Sequence, residues 1–383
     1  MAFAAGDFLP SFIANSSVNP QFGFNTVAGR QLILAFVGSA HSEVGASMVR
    51  TLVAAADWLR ERRVLVYLVT ADPRDQQTGP LTSLPDRFTV FWDFDRAIHR
   101  SYRMLAPAPG SASQDVVLRI GAFVVRENLR LHALVPVSPV EAFGAGILAA
   151  VGSLPIPDAP RLAARHAPVL VVPDVINRDQ CRQLIAYYER KGGSESGFMR
   201  DVGGQTRGLL DGKMKRRKDC YIEDPDLTKV IFNAMRDRVA PEIRKAFGYR
   251  VTRIERYVIG CYEDGDRGFF SAHRDNTSKA TAHRAFALSL NLNSEEYEGG
   301  HLAFPEYGSA LYKPETGAAV VFSCSLLHEA RPVIRGRRYV VLPFLYNEHG
   351  AAVRTENRKF LASDPPTPVE SLTPDASRDL SAA

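Results

Sequence analysis

The apolar and polar positions follow one rhythm up to about residue 150 and another beyond it. In the first stretch, Gln31–Val37 and Val64–Thr70 are near-continuous apolar runs, as expected of strands buried on both faces. Between them Val44, Met48, Leu52 and Leu59 recur at helical spacing over Val44–Arg62. Ala71-Asp72-Pro73 ends the second run, Phe88–Trp92 predicts a third strand, and Val116–Arg119 with Ala122–Val125 predicts a hairpin around Gly121. This β-α-β order predicts an α/β layer with a parallel core.

The second stretch opens with Val169–Val172 and a helix from about Arg178 to Lys191. Asn177 or Asp179 is placed to accept from its first-turn amides, and Gly192-Gly193 stops it. A second helix is expected over Asp226–Phe247. Short strands follow: Arg253–Tyr262, Phe269–Arg274, Ala285–Asn293, His301–Phe304, Ala318–Phe322 and Tyr339–Tyr346. Many short strands at close spacing predict a double-sheet jelly roll with helices packed outside. Pro and small residues around 152–168 read as a linker, and the Pro/Ser-rich tail beyond about 350 as disordered. The expected division is therefore a domain over 1–151, a linker over 152–167, a domain over 168–349 and a tail over 350–383.

Composition agrees with two domains: 383 residues, 45% of them hydrophobic, suffice for two cores. The net charge of +5 permits an anionic substrate without demanding nucleic acid. The start, MAFAAGDFLPSF, lacks the basic stretch and apolar core of a secretory signal, and no apolar run is long enough for a membrane span. Cys181, Cys220, Cys261 and Cys324 are too scattered for a disulfide framework, so a cytoplasmic location is expected. Neither a membrane nor a specific nucleic acid is expected as partner. The basic run Lys213–Lys218, with no interleaved aromatics, reads as a solvated loop or cleft rim. Asp95 reads as the N-cap of a helix starting near Arg96, and His41 as a solvated loop histidine.

Gly6-Asp7-Phe8-Leu9-Pro10-Ser11-Phe12, the strand-helix-strand order and Thr70-Ala71-Asp72-Pro73 resemble the peroxiredoxin branch of the thioredoxin-like fold, over roughly residues 5–150. That family carries a Pro-x-x-x-Thr-x-x-Cys loop, whose positions here fall on Gly38, Ser42 and Gly45. Residues 1–180 contain no cysteine. Peroxide reduction needs a thiolate, so the domain is expected to be a redox-inactive accessory.

The candidate chemistry lies in the second stretch. His273 and Asp275, on a strand or at its end, would turn both side chains to one face. Two histidines and a carboxylate on one face are the metal-binding set of non-haem Fe(II) oxygenases, so a second histidine is required. His283, His301, His328 and His349 are available. His283 is too near in sequence and His301 has nothing supporting it nearby. His328 follows a buried strand, and Arg338 ten residues on opens an apolar one. A buried guanidinium is costly without an anion, and its fork suits a carboxylate. Arg337 is the register rival of Arg338.

Cys261-Tyr262, His273-x-Asp275, Leu290–Asn293, Glu298–Leu302, Phe304-Pro305, Pro314-x-x-Gly317, His328-x-x-x-Pro332-Val333 and Gly336-x-Arg338-Tyr339 together resemble the Fe(II)/2-oxoglutarate-dependent dioxygenases of the prolyl 4-hydroxylase type. The likeness covers about residues 167–347. It implies Fe(II) on His273, Asp275 and His328, and 2-oxoglutarate as co-substrate on Arg338. Tyr262 and Asn291 match looser co-substrate-pocket positions. It also implies O2, L-ascorbate and hydroxylation of a peptidyl or free amino acid or a small metabolite. Cys324 is expected to pack as a small hydrophobe. The competing expectation is a non-catalytic scaffold or interaction protein.

Overall fold

A computed structural model describes residues 3–107, 116–137, 139–157, 159, 162 and 165–362, and the backbone of 369–371. The chain divides into two compact units, Met1–Arg161 and Leu162–Ala383.

The N-terminal unit is built on a five-stranded sheet. Its spatial order is Phe88–Trp92, Leu65–Thr70, Leu32–Gly38, Gly121–Val125 and Leu131–Pro136. The first three are parallel and the last two antiparallel. Strand alternation splits Leu32–Gly38 between two cores. Ile33, Ala35 and Val37 pack with residues of the helices Glu43–Ala54 and Val140–Gly152, while Leu32, Leu34 and Phe36 join Phe24, Phe91 and Tyr102. The expected hairpin around Gly121 is not formed. Val116–Leu118 pairs with Leu105–Pro107 instead, and Gly121–Val125 turns back at 126–130 to pair with Leu131–Pro136. The short strand Leu105–Pro107 competes for the partner that the sequence pattern offered to Ala122–Val125.

Ser42 caps the first helix by accepting from Gly45 N at 3.1 Å. A Cβ on Gly45 would stand 2.0 Å from the Ser39 carbonyl oxygen, so the helix approaches that loop more closely than a side chain permits. His41 is exposed, with Nε2 3.6 Å from the buried Asp75. Asp95 accepts from Ala97 N, but the N-cap position falls on Arg96 rather than Asp95, and Asp93 does more. Its carboxylate accepts from the amides of Ile98 and His99 and lies 2.6 Å from His99 Nδ1, all buried.

The C-terminal unit is built on two antiparallel sheets. The larger contains, side by side, Lys218–Tyr221, Val258–Glu263, Arg337–Val341, Phe286–Asn291, Phe344–Tyr346 and Arg253–Glu255, with Ala319–Ser323 and Leu170–Val172 added to Phe286–Asn291. The smaller runs Lys215–Arg216, Phe269–His273, His328–Ala330, Leu302–Ala303 and Leu311–Tyr312. Period two divides the larger sheet cleanly. Leu288, Leu290, Val321, Tyr339 and Val341 pack with helix residues Leu184, Ile231 and Ile243, whereas Ala287, Val320, Phe322 and Val340 pack with Phe270, Leu302 and Ala330 of the smaller sheet.

Asn177 closes a capping box on the helix Arg178–Lys191, and Asp224 caps Pro225–Ala234. The expected second helix continues through a π turn at Met235–Val239 into Ala240–Phe247. Pro241, without an N–H, interrupts its ladder there. The strand expected over Arg253–Tyr262 breaks at Arg256, which has φ +54°. The tail is shorter than expected. Asn347 accepts from Gly350 N and caps a helix over Glu348–Asn357, so the chain stays ordered past residue 350, while 363–368 and 372–383 lie outside the described residues. Among the described residues no helix is long and apolar enough to cross a membrane.

Candidate metal centre

His273 ends the strand Phe269–His273 and His328 opens His328–Ala330. The two strands pair antiparallel with the histidines opposite each other. Asp275 sits in the turn beyond, held by its amide, which donates to Cys324 O at 3.0 Å. His273 Nε2 is 3.6 Å from one Asp275 oxygen, and His328 Nε2 is 3.4 Å from the other. Among the described residues these three form the group suited to a metal ion, their ligand atoms all within 4.8 Å of one another.

The rings are oriented from behind. His273 Nδ1 lies 2.7 Å from Ser271 O and His328 Nδ1 3.0 Å from Leu326 O. A carbonyl only accepts, so each Nδ1 carries the proton and each Nε2 presents its lone pair toward Asp275. The Phe270 ring stacks on His273 at 3.5 Å. Burial pulls the His328 imidazole down to about 4, against the opposing pull of Asp275. Burial pushes the Asp275 carboxyl up, but His328 and His273 outweigh it and hold the group below the usual carboxylate range. Two imidazoles and one carboxylate facing one point are the donor set of non-haem Fe(II) oxygenases.

A cavity of about 350 Å³ extends from this triad between the sheets and reaches Arg338. The pleat settles the register. Arg338 lies on the inter-sheet face with 2% of its surface exposed, whereas Arg337 points outward to Glu189 and Glu263. Arg338 Nη2 donates to Ser289 Oγ at 2.9 Å, and its Cζ stands 5.2 Å from the Tyr262 ring centroid. Its Nε and Nη1 are buried without any partner. An orphaned, permanently charged fork is what the distal carboxylate of a dicarboxylate would satisfy.

Tyr262 lines the cavity, its hydroxyl accepting from Arg217 Nη1 at 3.3 Å. Asn291 does not line it. Its amide donates to Ser294 Oγ and Pro314 O, so it fastens a loop, and Ser289, two residues earlier on the same face, meets Arg338. His283 is taken by Glu255 at 2.7 Å, and His301 and His349 do not join the triad. Cys324 is fully buried among apolar side chains, which pushes its thiol well up.

The basic run departs from expectation. Lys215–Arg216 and Lys218–Tyr221 are strands, and their pleat turns Lys215, Arg217 and Asp219 inward. Lys215 Nζ donates to Ser196 Oγ and Gly197 O, and burial with Arg217 nearby pulls it down to about 6. Arg217 pairs with both Asp219 oxygens, at 2.6 and 2.7 Å. The alternation of Lys215, Arg217 and Asp219 was the available signal, obscured by the charged residues between them.

Residues 256–346 match the family model described as the 2OG-Fe(II) oxygenase superfamily. A PKHD-type hydroxylase of Pseudomonas putida is 26% identical over 215 residues, covering 54% of this chain and 89% of that protein. Among solved structures, a prolyl hydroxylase of Trichoplax adhaerens, in complex with a hypoxia inducible factor peptide, aligns at 15% identity and TM-score 0.39. It covers 49% of this chain and 86% of its own. Xanthomonas campestris peroxiredoxin Q aligns at 14% identity and TM-score 0.35, covering 39% of this chain and 98% of its own. The superfamily implies Fe(II) and 2-oxoglutarate, and the chain thus carries, over residues 256–346, a 2OG-Fe(II) oxygenase domain.

Proposed function

We propose that the C-terminal unit is a non-haem Fe(II)- and 2-oxoglutarate-dependent dioxygenase that hydroxylates a peptidyl or free amino acid or a small metabolite. In this reading its two sheets are a jelly roll, and His273 Nε2, His328 Nε2 and an Asp275 oxygen hold the metal. Arg338 takes the far carboxylate of 2-oxoglutarate, with Tyr262 beside it. The observation carrying the reading is the pair of unpartnered Arg338 nitrogens in the same cavity as the triad.

When bound, Fe(II) and 2-oxoglutarate supply O2-dependent decarboxylation to succinate and CO2, coupled to insertion of one oxygen atom into a substrate C–H bond. The chain's own residues do the rest. Ser271 O and Leu326 O fix the imidazole tautomers, Arg338 orients the co-substrate, and Phe270, Leu302 and Phe322 give the cavity an apolar wall. L-ascorbate is assigned the role of keeping the iron reduced.

The N-terminal unit is read as a thioredoxin-like, peroxiredoxin-related accessory domain without redox chemistry, since residues 1–180 contain no cysteine. The four cysteines are all free and buried, which suits a reducing cytoplasm. No observation favours the scaffold reading, in which the open donors of Arg338 have no purpose. The test is mass spectrometry of a lysate treated with enzyme, Fe(II), ascorbate and 2-oxoglutarate, scored for products heavier by one oxygen atom. Products that need both 2-oxoglutarate and His273 support the reading. Wild-type succinate release from His273→Ala overturns it.

A further inference from the structure

The cavity holds more positive charge than the co-substrate explains. Arg217 is matched by Asp219, and Arg284 donates to both oxygens of Glu255, at 2.6 and 3.2 Å. Those carboxylates are thereby occupied. One further cation, Arg256, and the buried amine of Lys215 line the same cavity without a carboxylate hydrogen-bonded to either. Lys215 has only Ser196 Oγ and Gly197 O, and Arg256 has only the Leu342 carbonyl, on Nε at 3.2 Å. Among the described residues, no further hydrogen bond reaches the Arg256 fork.

Arg256 is also held in place from two sides. Its Cζ lies 4.4 Å from the centre of the Phe344 ring, which carries the Arg284 guanidinium at 3.9 Å as well. Its backbone sits at φ +54°, between the strands Arg253–Glu255 and Val258–Glu263, where a side chain is disfavoured and glycine is not. Two arginines on one ring with one carboxylate between them leave a site short of an anion. A metal-bound Asp275 does not supply it, because both its oxygens face the triad histidines.

We propose that the prime substrate carries a carboxylate, received by the free edge of Arg256 with Lys215 beside it, while Arg338 holds 2-oxoglutarate. A single open guanidinium fork matches a planar carboxylate in two parallel bonds. A cavity of about 350 Å³ that also takes the co-substrate leaves room for little more than one amino-acid side chain or a small acid. Two sources of such a carboxylate fit that room and are separated by the experiment: the α-carboxylate of a free amino acid and the side chain of an acidic residue in a peptide. This rests on the dioxygenase reading above and names the substrate class for the same site.

The experiment is saturation-transfer NMR on the full chain, loaded with Zn(II) as a redox-silent metal and saturated with 2-oxoglutarate. One arm offers the free L-amino acids against their carboxamides. The other offers end-capped tripeptides with central Asp or Glu against Asn or Gln. At least one acid is expected to bind tenfold or more tightly than its amide. Arg256→Gln and Arg256→Gly should abolish that preference, the glycine variant being compatible with the backbone at this position. Absence of any acid-over-amide preference in both arms, or a preference that survives both substitutions, overturns the proposal. 2-Oxoglutarate binding is titrated on the same wild-type sample. Failure there sinks the dioxygenase reading, whereas success there without carboxylate selectivity sinks this inference alone.

Discussion

Replacing Arg338 with leucine should produce two changes of opposite sign. In the ligand-free protein Arg338 leaves Nε and Nη1 buried and unpartnered. At about 2 kcal/mol for each unsatisfied donor, its removal relieves about 4 kcal/mol. Against this stand the charged hydrogen bond to Ser289, about 2 kcal/mol, and the contact with the Tyr262 ring, about 1 kcal/mol. The balance favours the variant by about 1 kcal/mol, or roughly 2–4 °C in Tm for a unit of this size. With 2-oxoglutarate present the order reverses. Wild type gains about 2.7 kcal/mol at a hundredfold excess over Kd, and the variant gains almost nothing. Loss of two charged hydrogen bonds should weaken 2-oxoglutarate binding by about 3 kcal/mol or more, which is over a hundredfold. Calorimetric melting of the full chain with and without 2-oxoglutarate reads both effects. A ligand-free variant melting 6 °C or more below wild type, with the 2-oxoglutarate shift retained, would refute the reasoning.

His273→Ala, Asp275→Ala and His328→Ala should each reduce Fe(II)-dependent succinate release to background, as should a chelator; an iron titration unchanged by any of them removes that residue from the ligand set. Glu255, buried, is pushed up by desolvation but carried well below the usual range by Arg284 and His283. Its stabilising effect is therefore complete above the unfolded carboxylate value of about 4.3 and is lost as pH falls through the lower folded value. Glu255→Gln leaves Arg284 buried without its anion, so it should cost about 3–5 kcal/mol at pH 7. The gap from wild type should narrow as the pH is lowered, and denaturant melts showing a pH-independent gap contradict the pairing. Gly45→Cys should yield no thiol-dependent peroxide consumption and should destabilise the N-terminal unit by about 3 kcal/mol, because its Cβ meets the Ser39 carbonyl. A folded, peroxide-consuming variant would show the loop to be looser than described.

Legibility in the sequence followed the strength of the local pattern. Leu32–Gly38, Leu65–Thr70 and Arg178–Lys191 were readable to within a residue because a full apolar run or a capping box marks their ends. The meeting of His273, Asp275 and His328 at one point, and the burial of Arg338, were readable because motif order and spacing place them. Asn291 was misread because alternation gives the face of a residue but not how far along the strand the cavity extends. The inward Lys215 and Arg217 were missed because a charged run looks solvated until a partner such as Asp219 is known to face it. The pairing of Leu131–Pro136 and the helix after Asn347 depend on tertiary neighbours that a local window does not contain.

The imidazole rings of the triad are steered by carbonyl oxygens of the chain itself, two residues before each histidine. Every amino acid carries that oxygen, so the identities of Ser271 and Leu326 are free to change while the tautomers stay locked. Tolerance to substitution should thus be found two residues before each histidine, and changes at Ser271 and Leu326 should be silent in an activity scan where changes at His273 and His328 are not.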